Sequence, residues 1–222
     1  MTYRWPVSLR HVLPSGQQLV LRPLERADRT AWESLRSRNT AWLGRWESTV
    51  PGEQVVPLPF GRLRRGLDRA ARDGLVLPFV IDVGGRPVGQ MQLFDLLWGS
   101  RRSGSAGYWL DQEATGRGYA TWALAALVDH ALLDVGLHRV EVAIRPENTA
   151  SLRVVERLAL PEEGTARGLM HVEGAWRDHR TFAVLAEDLA TGGYAEGGLV
   201  PYLRRHPRHT RNLRDTPAAS PG

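Results

Sequence analysis

The sequence predicts a single mixed α/β domain, and three observations carry that prediction. Short stretches of strict alternation, such as HRVEVAIR at 138–145 (Val140, Val142, Ile144 against Arg139, Glu141, Ala143), read as strands. They are interleaved with helical stretches, above all ATWALAALVDHALLDV at 120–135, whose apolar positions 120, 124, 127, 128, 131, 132 and 135 share one face. A chain of 222 residues, 42% of them hydrophobic, suffices for one well-buried domain with extra segments and is short for two.

Residues 18–24 (QLVLRPL) read as the first strand. Asp28 can cap a helix at 29–38, and TAWLGRWES (40–48) reads as a shorter helical piece. The Pro-rich run at 50–60 breaks the chain before a basic amphipathic helix at 61–72. Residues 75–83 and 86–96, joined at Gly84-Gly85, form a hairpin. WGSRRSGS (98–105) reads as an exposed loop, AGYWLD (106–111) as a strand and QEATGRG (112–118) as a glycine-containing loop. Gly136 stops the long helix. After the strand at 138–145, residues 146–160 turn into a helix, and 164–172 and 175–186 close the domain as a hairpin around Glu173-Gly174. Past Asp188 the chain turns Gly-, Pro- and Arg-rich and loses periodicity.

Composition excludes several function classes. Without Cys there is no disulfide, thiolate metal site or cysteine nucleophile. No stretch approaches the roughly 20 apolar residues of a membrane span, and MTYRWPVSLR lacks the apolar core of a secretory signal, so a cytoplasmic protein is the expectation. All 29 basic residues are Arg. Five lie at 204, 205, 208, 211 and 214 beside the single acid Asp215, so the first 200 residues are nearly balanced and offer no charge argument for a nucleic-acid-binding domain. The basic tail alone could meet RNA.

The chemistry begins at TGRGYAT (115–121), between a strand and a helix. Gly116 and Gly118 let the backbone approach a ligand, and the helix N-terminus that follows suits a phosphate, with Arg117 as counter-charge. Neither the dinucleotide fingerprint nor a P-loop is present. On the residues alone, Ser151 and Asn148 are also ordinary first-turn and cap residues of a helix. Asp178 and His179, as strand neighbours, point to opposite faces, and no His cluster has metal spacing.

The string GYWLDQEATGRGYAT…HRVEVAIRPENTASLRVVERL…EEG…GAWRDHRTFAVL resembles the GCN5-related N-acetyltransferases (GNAT superfamily), within them the Rim-type enzymes that acetylate the N-terminal amine of ribosomal proteins. The resemblance makes residues 16–190 a GNAT domain, after an N-terminal extension (1–15) and before a tail (191–222) expected to be flexible. It implies a mixed, mostly antiparallel sheet with a splayed parallel strand pair and flanking helices. It also implies acetyl-coenzyme A as co-substrate, no metal, and direct attack by an amine in a ternary complex, in a monomer or homodimer without a membrane partner.

Residue by residue, the resemblance sets the pyrophosphate on Gly116, Arg117, Gly118, Tyr119, Ala120 and Thr121. The pantetheine arm pairs along the backbone of Trp109, Leu110 and Asp111, with Asn148 touching it. Ser151 becomes the donor to the leaving thiolate, and the Leu110 backbone N–H the oxyanion donor. Trp42 and Trp46 are candidates to line a peptide cleft. Three groups stand as alternatives for the base: Asp95, Glu141 and His171; a relative's catalytic carboxylate falls at Met170. Glu113 replaces the usual Gln or Arg of the loop, Trp122 a common Glu, and Ala159-Leu160 a common Gly-Phe. Two rival readings stay open: an acetyltransferase of small-molecule amines, and a catalytically silent acyl-coenzyme A-binding protein associated with the ribosome.

Overall fold

The computed structural model describes residues 4–53, 56–191, 194 and 197–207; Gln54 and Val55 of the Pro-rich run, and Arg208, His209, Arg211 and Arg214 of the tail, lie outside the described residues. Eight strands, β1 (Leu9–Val12), β2 (Gln18–Arg22), β3 (Leu77–Val83), β4 (Arg86–Leu97), β5 (Ser103–Leu110), β6 (Arg139–Ile144), β7 (Glu162–Val172) and β8 (Ala175–Leu185), form one open sheet. Its order is β1-β2-β3-β4-β5-β6-β8-β7. Every neighbouring pair is antiparallel except β5 and β6, which are parallel.

Two separate cores cover the sheet. β3 is buried along its whole length, and alternation sends its side chains both ways. Val80 joins Leu24, Trp32 and Phe60 under helices α1 (Arg29–Arg38) and α3 (Phe60–Arg72), while Phe79 and Ile81 belong to the larger core. That core is built on α4 (Tyr119–Asp129), buried on every side from Tyr119 to Val128, and on the apolar face of α5 (Thr149–Arg157), where Leu152, Val154 and Val155 are buried. Among the described residues no helix is long and apolar enough to cross a membrane.

Several expectations need correction. The helical piece expected at 40–48 is only α2 (Thr40–Gly44). Asp28 stands at the N-cap position of α1 but makes no side-chain cap bond; its carboxylate accepts from both terminal Arg22 guanidinium nitrogens at 2.8 Å and from the Glu25 N–H at 2.7 Å. The same guanidinium reaches Asp82, so one cation on β2 bridges two carboxylates, from β3 and from the approach to α1. The exposed loop expected at 98–105 is shorter, because Ser103 and Gly104 are buried where β5 joins β6. A Cβ on Gly104 would stand 2.8 Å from the Leu96 side chain.

The long helix runs as α4 and then a π-helical turn at His130–Asp134, before Gly136 stops it at φ +79°. Within the segment expected as an extension, β1 pairs with β2. Beyond Asp188, α6 (Ala186–Thr191) is followed by α7 (Leu199–Arg205), whose Leu199, Val200, Tyr202 and Leu203 are buried against the core. The packed body thus continues through the first two tail arginines, Arg204 and Arg205, because four apolar residues precede them.

Candidate functional site

The site starts where two parallel strands part. β5 and β6 pair only at Ser103–Arg139, Gly104–Val140 and Ser105–Glu141; past that point β6 stays with β8 and leaves β5. On its other edge β5 stays with β4, and the Asp111 N–H donates to the Val88 carbonyl at 2.8 Å. Peptide groups alternate sides along a strand, so the N–H groups of Leu110 and Tyr108 face the gap left by β6. The Asp111 and Trp109 N–H groups face β4. Gly89 permits this close β4–β5 approach, since a Cβ there would lie 2.2 Å from the Trp109 carbonyl oxygen.

At the wide end of the gap lies the glycine loop. Gly116 and Gly118 both take left-handed φ, +75° and +79°, and Gly118 is the N-cap of α4. It offers no side-chain cap. Trp122 N–H, bonded to Gly118 O at 3.1 Å, is the first to find an acceptor within the helix, which leaves those of Tyr119, Ala120 and Thr121 directed out of its start. The Thr121 hydroxyl in the same turn is buried without a partner. Arg117 is exposed beside it. Free donors at a helix start fit a pyrophosphate, and a strand edge with open N–H groups fits the amides of a pantetheine arm.

From the far side of the gap comes α5. Asn148 caps it, its Oδ1 accepting the Ser151 N–H at 3.1 Å, so the structural role of Asn148 is present and its amide NH2 is the group left to meet a ligand. Ser151 in the first turn is half-buried. Opposite it stands Tyr108, a residue that sequence reasoning missed. Its hydroxyl is buried and has no hydrogen-bond partner among the described residues. Burial pushes its pKa up to about 12, against a smaller opposing effect of the Ser151 hydroxyl. The signal was alternation: on GYWLD, Tyr108 shares a face with Leu110.

On the α1–α3 face of the same strands, a cavity of about 520 Å³ is lined by Asp95, Arg101, Ser105 and Glu141 with Leu75 and Leu97. Two of the three candidate bases therefore share one cavity beside the β5–β6 junction. Asp95 sits at φ +51° where the β4–β5 register shifts. Arg139 bonds Glu141 Oε1 at 2.7 Å. His171 is elsewhere, on the edge strand β7, with Nδ1 2.7 Å from the Thr49 hydroxyl and its ring edge-on to Trp176.

The aromatic candidates are half-buried. Two guanidinium groups, Arg45 and Arg145, lie over the Trp46 ring at 5.2 and 5.4 Å. Trp109 packs edge-on against Trp32 beneath Arg36 and donates to Gln90 at 3.1 Å. Asp111 ties the strand end to α1. Burial acts to raise its pKa, but bonds from Arg38 and Asn39 hold the carboxyl below the ordinary range. Among the described residues no group of three or more His, Asp or Glu is placed to hold a metal ion.

Residues 18–160 match the family model described as Acetyltransferase (GNAT) domain. The chain is 36% identical over 103 residues to the probable N-acetyltransferase YjcK of Bacillus subtilis, a match covering 46% of this chain and 57% of that protein. It is 28% identical over 105 residues to the ribosomal protein uS5-alanine N-acetyltransferase of Escherichia coli, covering 47% and 54%. The chain thus spans little more than half the length of these two relatives. Among solved structures, RimJ of Mycobacterium smegmatis in complex with CoA-disulfide is 35% identical with a TM-score of 0.82, over 92% of this chain and 96% of that one.

Proposed function

The chain belongs to the acetyltransferase (GNAT) domain family, and from that premise we propose that it transfers acetyl from acetyl-coenzyme A to the N-terminal α-amine of a protein, foremost a ribosomal protein. The observation that carries this reading is the parting of β5 and β6, with the Leu110 N–H open to the gap beside the uncapped start of α4. The acceptor class is supported by similarity to the uS5-alanine N-acetyltransferase and by amine chemistry. Only a neutral amine attacks a thioester; near pH 7.5 about a third of α-amines are neutral, against about a thousandth of lysine amines.

In this reading Gly116, Arg117, Gly118, Tyr119, Ala120 and Thr121 hold the pyrophosphate. The backbone around Trp109, Leu110 and Asp111 takes the pantetheine arm, with Asn148 beside it. Acetyl-coenzyme A supplies an activated acyl group. The Leu110 N–H stabilises the carbonyl oxygen as charge develops, and Ser151 directs its hydroxyl hydrogen to the departing sulfur. Asp95 or Glu141 relieves the amine of its proton; their shared cavity supports them over His171. Trp42 and Trp46 flank the acceptor peptide, and the enzyme works in the cytoplasm, where ribosomes are.

The test is thiol release from acetyl-coenzyme A with peptides bearing free N-terminal Ala or Ser, the same peptides blocked at the N-terminus but carrying an internal Lys, and polyamines. Release with free α-amines alone is expected. Release with polyamines alone would replace the protein acceptor by a small-molecule amine. Acetyl-coenzyme A binding without release from any acceptor would make the protein a silent acyl-coenzyme A binder.

A further inference from the structure

Each of the two parallel strands is followed at once by a buried charge. Asp111 comes after β5 and Arg145 after β6, and they are 5% and 9% exposed. Alternation turns both toward the α1–α3 face, Asp111 with Trp109 and Arg145 with Glu141 and Ala143. Each grips one end of a single segment, Asn39–Arg45, whose middle is α2. On the β5 side, the buried Asn39 amide donates to Asp111 Oδ1 at 2.8 Å, and its Oδ1 accepts the Gln112 N–H at 2.9 Å. On the β6 side, the Arg145 guanidinium donates to the Arg45 carbonyl and to Glu173, both at 2.9 Å, and lies over the Trp46 ring. The Thr49 N–H, bonded to the His171 carbonyl at 2.8 Å, carries the attachment onto β7. The segment is thereby fastened to both halves of the sheet across the place where they part.

Parallel neighbours gain hydrogen bonds by continuing their ladder, so a gap beside a paired seam needs something to hold it open. A helical run from Asn39 to Arg45, rising about 1.5 Å per residue, covers about 9 Å. Two strand spacings, the distance between β5 and β6 with one extended chain between them, come to about 9.6 Å. We infer that Asn39 and Arg145 are positioning residues that make α2 a spacer, holding the ends of β5 and β6 one strand's width apart. The slot for the pantetheine arm then exists before the arm enters it, and no binding energy goes into prising the strands apart. The inference rests on the coenzyme-binding part of the reading above.

The test is calorimetry with two ligands: coenzyme A, and ribose-phosphorylated ADP, its nucleotide half, which carries the pyrophosphate and lacks the arm. Asn39→Ala and Arg145→Met should each weaken coenzyme A about tenfold and leave the nucleotide half within about twofold of wild type. Because both anchors act on one spacer, the double variant should bind no more weakly than the poorer single one; independent sites would multiply to about a hundredfold. Two glycines inserted after Gly44 spare both anchors and meet no packing, since nothing lies within 4 Å of a Cβ there. That insertion should give the same tenfold loss, and it stands in for either buried substitution that prevents folding. Equal losses for both ligands, losses that multiply, or wild-type affinity after the insertion would overturn the inference. Hydrogen exchange tests the spacer without a ligand: the Leu43 N–H, bonded to Asn39 O at 2.8 Å, should lose protection in Arg145→Met, although it lies beside the opposite anchor. An unchanged Leu43 rate would overturn the inference whatever the affinities. A wild type that binds coenzyme A and acetylates no acceptor would overturn only the transfer reading.

Discussion

Gly118 holds two properties at one position: a left-handed φ of +79° and the place where the α4 donors emerge. Gly118→Asp puts a carboxylate among donors that would otherwise meet phosphate. The variant is expected to bind acetyl-coenzyme A at least tenfold more weakly, about 1.4 kcal/mol, by calorimetry on folded protein. Unchanged affinity would move the pyrophosphate elsewhere. Of the site residues, the glycine loop was legible because spacing alone marks it. On the residues alone, without the family resemblance, Ser151 and Asn148 were legible only as a cap pair, which is the part the geometry shows directly. Tyr108 was hidden because its meaning depends on a helix that returns to it more than forty residues later. That Asp95 and Glu141 share a cavity likewise depends on strand register, which no local pattern encodes.

Among the elements, α7 owes its position to one carboxylate on α4. Asp129 accepts the Leu199 N–H at 2.7 Å and the Val200 N–H at 2.9 Å, capping α7 from a different helix. Gly198 makes room for it; a Cβ there would stand 2.5 Å from Asp129 Oδ1. Burial raises the Asp129 pKa to about 6, against the two N–H bonds. Its folded pKa thus lies above the unfolded value, so the native state gains stability as pH falls from about 6 toward 4, and Asp129→Asn should remove that dependence in thermal unfolding. Asp129→Ala is expected to lose about 1–3 kcal/mol, because two N–H groups lose their acceptor. Periodicity revealed β3 to β8 and α3 to α5, whose apolar positions repeat long enough to read. β1, with four residues, and α7, with seven flanked by Gly and Arg, fall below that length. Tertiary packing sets them.

For the whole molecule, the boundary of the folded body decides where the chain can be shortened. A chain ending after Pro207 keeps α7 and should acetylate peptides as the full chain does. A chain ending after Gly198 strips Leu199, Val200, Tyr202 and Leu203 from the core and should melt several degrees lower. If Arg208, Arg211 and Arg214 attract RNA, the chain ending after Pro207 should also lose retention on RNA at low salt, with full-length affinity falling steeply across a salt series. Equal affinity of the two chains would leave the tail without that role.

The junction of β5 and β6 spans three residue pairs. Strands β1–β5 form one antiparallel half-sheet and β6, β8 and β7 another, so that seam is the narrowest hydrogen-bonded tie in the fold. A ligand whose amides pair with the open edge of β5 lengthens the tie and acts as a removable ninth strand. Cooperative units separated by so slender a seam can open sub-globally while each keeps its own ladder. Hydrogen exchange should show the amides at Tyr108 and Leu110 as fast in the free protein and strongly slowed with saturating coenzyme A. At about a hundredfold excess over Kd the same binding should stabilise the fold by about 2.7 kcal/mol. The co-substrate would then be a transient staple between two half-sheets that share one core, and each turnover would loosen and re-fasten their hydrogen-bonded seam.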